Sequence, residues 1–104
     1  MYKILLACNA GMSTSLLVSN MVKYAKEQGI EAEIKAVGVT EAEKIFEEWD
    51  IVMLGPQVRH VKNNFDKIVA GSIPVAIIDM RDYGLMNGKN VLLAGIDMIK
   101  QFKK

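Results

Sequence analysis

Apolar residues in this 104-residue chain form short unbroken runs separated by stretches in which they recur every three or four positions, as strands alternating with helices do. Residues 3–7 predict a first short strand. Residues 14–28 predict a helix with Leu17, Met21 and Ala25 on one face and Gly29 as its stop. Residues 31–37 alternate polar and apolar like a half-exposed strand, and Thr40 is placed to cap a helix over 41–48 with Glu43 in the capping-box position. The unbroken run 51–54 predicts a fully buried strand, after which Pro56 opens a helix with Val58, Val61, Phe65 and Ile68 at helical spacing before Gly71. Residues 74–78 predict the fourth strand. A connector around Tyr83 and Gly84 then leads to a last helix over 91–102, with Val91, Gly95, Met98 and Phe102 on one stripe.

Four strands alternating with helices imply an α/β fold: a single four-stranded parallel sheet with helices on both faces, because each right-handed crossover lays its helix on the sheet. The expected strand order is 2-1-3-4. In that order the chain reverses between the first and third strands, so the loops after Ala7 and Leu54 flank the crevice where such sheets bind ligands. No repeat, linker or low-complexity tract divides the chain, and residues 1–104 are expected to form one domain.

Composition narrows the function. Thirteen Lys plus Arg against twelve Asp plus Glu leave a formal charge of +1, and the only basic run is Lys103-Lys104, so a nucleic-acid partner is not expected. No apolar stretch approaches the roughly 20 residues of a membrane-spanning helix, and the start carries no signal-peptide pattern, so the chain reads as cytoplasmic. One cysteine excludes an internal disulfide and, with one histidine, a Cys/His zinc cluster. Neither a metal nor an organic cofactor is expected, and Cys8 acts, if at all, as a thiol or thiolate.

That cysteine stands at the expected switch point, in the stretch Cys8-Asn9-Ala10-Gly11-Met12-Ser13-Thr14-Ser15. A loop from a strand end into a helix N-terminus aims several backbone N–H groups into one concavity, which suits an anion. Ala10 and Gly11 allow the backbone to curl closely around a ligand, while Ser13, Thr14 and Ser15 supply hydroxyl donors and a helix cap without charge. The same amides and dipole favour a thiolate, and hence a nucleophile, at the mouth of the loop. Most lone cysteines in cytosolic proteins are small buried hydrophobes, and a glycine or a hydroxyl after a strand is ordinarily just a turn. The conjunction of cysteine, glycine and three consecutive hydroxyl residues is what reads as a phosphocysteine site.

This stretch resembles the phosphorylation loop of the enzyme IIB components of the lactose/cellobiose (chitobiose) class of bacterial sugar phosphotransferase systems. Leu54-Gly55-Pro56-Gln57 also resembles a segment of that family, and the resemblance covers essentially the whole chain. It implies a flavodoxin-like fold related to that of the low-molecular-weight phosphatases. It further implies that Cys8 accepts a phosphoryl group from a phosphohistidine of a IIA protein and passes it to a sugar, a disaccharide, bound by a membrane IIC protein. The protein would then work as a monomer with transient contacts, in the bacterial cytoplasm and at the inner face of the membrane. Two alternatives remain open: a phosphatase-like hydrolase and a regulatory IIB-like domain. The phosphatases need an Arg six residues after their nucleophile, and here that position is Thr14. Without the bidentate guanidinium the loop suits holding and surrendering a phosphoryl group better than hydrolysing it.

Other candidates are weaker. Asp79, after the fourth strand, occupies the position of the phosphatase general acid, although an Asp there is more often a loop cap. Gln57, at the crevice edge, either approaches the phosphoryl group or simply begins a helix. His60, the sole histidine, reads first as a solvated surface residue, then as a partner contact and only last as a phosphoryl carrier. Most of the seven methionines fall at core spacing, with Met12 in the loop as the exception.

Overall fold

The computed structural model describes residues 1–8 and 14–103. Four parallel strands, β1 (Tyr2–Cys8), β2 (Ala32–Gly38), β3 (Ile51–Leu54) and β4 (Val75–Ile77), form one sheet in the order β2-β1-β3-β4, as expected. The helices α1 (Thr14–Glu27), α2 (Val39–Ile45), α3 (Lys62–Val69), α4 (Met80–Gly84) and α5 (Gly88–Phe102) lie between and after the strands.

Strand alternation divides the interior into two cores. Ile4 and Leu6 of β1 and Ile51 and Met53 of β3 face α1 and α5, where they meet Leu17, Met21, Val91, Leu92, Ile96 and Ile99. The intervening residues Leu5, Ala7, Val52 and Leu54 face the opposite side and pack with Ala42, Phe46, Val58, Phe65 and Val69. Both strands are buried on both faces, which explains their unbroken apolar character. Each large side chain removed from water here contributes about 1.5–3 kcal/mol. β2, an edge strand, keeps Glu33 and Lys35 exposed between half-buried Ile34 and Ala36, as its alternation predicted.

Several element details depart from the sequence expectations. β2 runs into α2 with no intervening loop, so Gly38 is the N-cap, without a side-chain cap bond, and Thr40 lies inside the first turn. The helix expected from Pro56 is a 3₁₀ segment, Pro56–Val61, that kinks at Val58 (φ −114°, ψ 19°) before α3 begins. The buried residues of α3 are Phe65 and Val69, whereas Ile68 is 37% exposed. α5 starts three residues earlier than Val91, with Asn87 Oδ1 accepting from Asn90 N at 3.0 Å. Its buried face is Val91, Leu92, Gly95, Ile96 and Ile99, whereas Met98 is half-buried and Phe102 is 48% exposed. Where a connector was expected the chain forms the short helix α4, which drops Tyr83 into the core.

Candidate functional site

β1 ends at Cys8, whose register partner on β2 is Gly38. On the other side Ala7 pairs with Leu54, the last residue of β3, and Gly55 N extends the ladder by donating to Ala7 O at 2.8 Å. Cys8 thus sits at the carboxyl edge of the sheet, where the end of β1 lies beside the end of β3. This is the topological switch point that the strand order predicts.

The thiol is buried, with Cys8 2% exposed. Burial by itself would suit a packing residue. What differs from packing is Thr14, the first residue of α1, which is fully buried and sets its Oγ1 3.2 Å from Cys8 Sγ. Among the described residues Thr14 is the buried residue of polar type, and its hydroxyl points at the sulfur. Either atom can donate in the neutral pair, but a thiolate has no proton, so in that state the hydroxyl is the donor. The opening turn of α1 adds the partial positive charge of a helix N-terminus and contains no acidic residue to oppose it.

Gly55 closes the other side. Its φ of −62° and ψ of 150° suit any residue, so the glycine is required by space rather than by backbone conformation. A Cβ on Gly55 would lie 3.1 Å from Cys8 Cβ and 2.9 Å from Gln57 Oε1. Gln57 is solvent-exposed, yet its amide shares with Cys8 the space that one methyl group would fill, so the structure brings these two predicted residues together. The sequence places the loop after Leu54 at the crevice, and the structure adds the close approach of Gly55 itself to the Cys8 side chain. The signal was available in the strand order, which sets the end of β3 beside that of β1.

The remaining sequence candidates fall differently. Asn9, Ala10, Gly11, Met12 and Ser13 lie outside the described residues. Ser15 follows Thr14 in the first turn of α1 and is exposed. Asp79 is the N-cap of α4, its Oδ2 accepting from Arg81 N and Asp82 N at 3.1 Å each, which occupies the carboxylate in capping rather than offering it as a poised acid. His60 is exposed on the 3₁₀ segment, consistent with its reading as a surface residue. No helix among the described residues is long and apolar enough to cross a membrane.

Comparison with known proteins gives the family and the same fold. Residues 3–94 match the family described as the PTS system, Lactose/Cellobiose specific IIB subunit. The chain is 48% identical over 90 residues to the oligo-beta-mannoside-specific EIIB component of Bacillus subtilis (strain 168), covering 86% of this chain and 87% of that protein. It is 42% identical to the galactose-specific EIIB component of Lactococcus lactis subsp. cremoris, with 92% and 94% of the two chains covered. Among solved structures, the cellobiose-specific IIB component from Borrelia burgdorferi superposes with a TM-score of 0.82 at 42% identity, over 96% of this chain and 93% of that one. The lactose-specific IIB domain of Streptococcus pneumoniae has the same TM-score, 0.82, at 16% identity, over 93% of this chain and 96% of that one, and so shares the fold. Matched by the family over residues 3–94 and by these relatives over nearly its whole length, the protein belongs to the lactose/cellobiose-specific IIB subunits of the sugar phosphotransferase system, the phosphotransferase components that carry a phosphoryl group in sugar transport.

Proposed function

We propose that Cys8 is the residue that carries the phosphoryl group, receiving it from a phosphohistidine of a IIA protein and giving it to a sugar bound by a membrane IIC protein. The observation that carries this reading is the Thr14 hydroxyl, buried and 3.2 Å from Sγ at the N-terminus of α1. In arrival, a sulfur electron pair forms the S–P bond while the P–N bond breaks and the nitrogen keeps its pair. In departure, the sugar hydroxyl forms a P–O bond, the S–P pair returns to sulfur, and the hydroxyl proton passes to a base on the acceptor side.

The position that would hold a phosphatase arginine carries Thr14, directed at the sulfur. With no guanidinium from this position, the site favours retention of the phosphoryl group over its transfer to water. Relatives are named for oligo-beta-mannoside, galactose and cellobiose, three different sugars on one carrier fold, which fits a sugar pocket located in IIC. The protein would act in the cytoplasm and meet IIC at the inner face of the membrane.

Incubation with a phosphorylated lactose/cellobiose-class IIA protein tests the assignment. About one phosphoryl group per chain should appear on Cys8 and persist, and none on Cys8→Ser, because a serine hydroxyl is a far weaker nucleophile than a cysteine sulfur. Sustained turnover of p-nitrophenyl phosphate by the wild-type chain would favour a hydrolase instead.

A further inference from the structure

We propose that the Thr14 hydroxyl is a catalytic group for phosphoryl departure: it donates to the Cys8 sulfur when the sulfur is anionic, stabilising it as leaving group. The inference rests on the reading of Cys8 as phosphoryl carrier. Thr14 Oγ1 lies 3.2 Å from Sγ, within reach for a hydroxyl–sulfur hydrogen bond, and both residues are buried. Away from bulk water such a bond is electrostatically stronger than an exposed one. Placement at the first position of α1, against the end of the central strand, holds the hydroxyl on the sulfur through backbone that is itself packed by Leu17 and Met21.

The bond changes strength with the chemistry. A thiolate is a charged acceptor, whereas the sulfur of S-phosphocysteine has given its charge to a covalent bond and accepts weakly. Charge returns to sulfur as the S–P bond breaks, so the hydroxyl stabilises the departing state more than the phosphorylated ground state. Arrival runs the other way, since the attacking thiolate gives up the same hydrogen bond. Thr14 therefore raises the readiness of phosphocysteine to surrender its phosphoryl group, a property that a carrier needs and a storage form does not.

The test compares wild type, Thr14→Val and Thr14→Ser for phosphoryl exchange with a purified lactose/cellobiose-class IIA protein, in alkaline buffer that keeps protonation of sulfur out of the comparison. Thr14→Val should slow return of the phosphoryl group from Cys8 to IIA by on the order of tenfold, the low end for a hydrogen bond to a charged group. It should also move the exchange equilibrium toward phosphocysteine by a similar factor. Thr14→Ser, which keeps the hydroxyl, should restore both, and melting curves establish that all three chains are folded. Equal slowing of arrival and return with an unmoved equilibrium would assign Thr14 a merely structural part and overturn the inference, as would a serine variant that fails to rescue. Wild-type protein phosphorylated on Cys8 but indistinguishable from Thr14→Val overturns the inference alone. Wild-type protein that never carries phosphate on Cys8 overturns the carrier reading and this inference with it.

Discussion

Gly88, the first residue of α5, crosses the α1 backbone so closely that a Cβ on it would lie 2.5 Å from the Asn20 carbonyl carbon and 2.6 Å from Met21 N. Asn20 reinforces the crossing from its own side, its Nδ2 donating to Met86 O at 2.9 Å. Because α1 begins at Thr14, this contact also steadies the helix that presents the hydroxyl to the sulfur.

Gly88→Ala therefore meets backbone, which cannot rotate away, and the two helices must separate. We expect a loss of about 3 kcal/mol, the upper end for overpacking. In a domain of this size that lowers the melting temperature by at least about 10 °C. Thermal denaturation followed by circular dichroism measures it, and a midpoint within about 2 °C of wild type would contradict the close crossing.

Gly55→Ala presents the milder case. Its clash is with Cys8 Cβ and the far end of Gln57, and the amide can swing aside. The expected stability loss is under about 1.5 kcal/mol. The displacement falls on the cysteine, so phosphoryl acceptance should slow by roughly tenfold, given how steeply transfer depends on alignment. Rapid-quench transfer from IIA, set beside a melting curve, separates these effects.

Cys8→Ser and His60→Ala together decide which side chain holds the phosphoryl group. Cys8→Ser should fold like wild type and carry none, while His60→Ala, altering an exposed residue, should be phosphorylated at the wild-type level. Mass spectrometry of the intact and digested chains reads both. Phosphate retained in Cys8→Ser and lost in His60→Ala would move the site to His60.

Asp79→Ala distinguishes a cap from an acid. Loss of the two amide contacts should cost about 1 kcal/mol. Removal of a general acid would slow the chemistry by about 10²–10⁴-fold. We expect the stability loss with transfer within about threefold of wild type, and a rate in the general-acid range would restore the catalytic role.

How much was legible in the sequence follows from the range of the forces involved. The strand runs 51–54 and 3–7, the helix face Leu17-Met21-Ala25 and the order 2-1-3-4 follow from periodicity and crossover handedness, which act over short stretches of chain. They also place Cys8 at the switch point. The kink at Val58, the cap at Gly38, the short helix α4 and the buried face of α5 lay beyond that reading, because each depends on what a segment packs against rather than on its own pattern. Thr14 shows the division most clearly. The sequence by itself marks it as a hydroxyl at a helix start; only the tertiary structure, by closing α1 onto the end of the central strand, turns that hydroxyl from a cap candidate into a buried donor at the Cys8 sulfur.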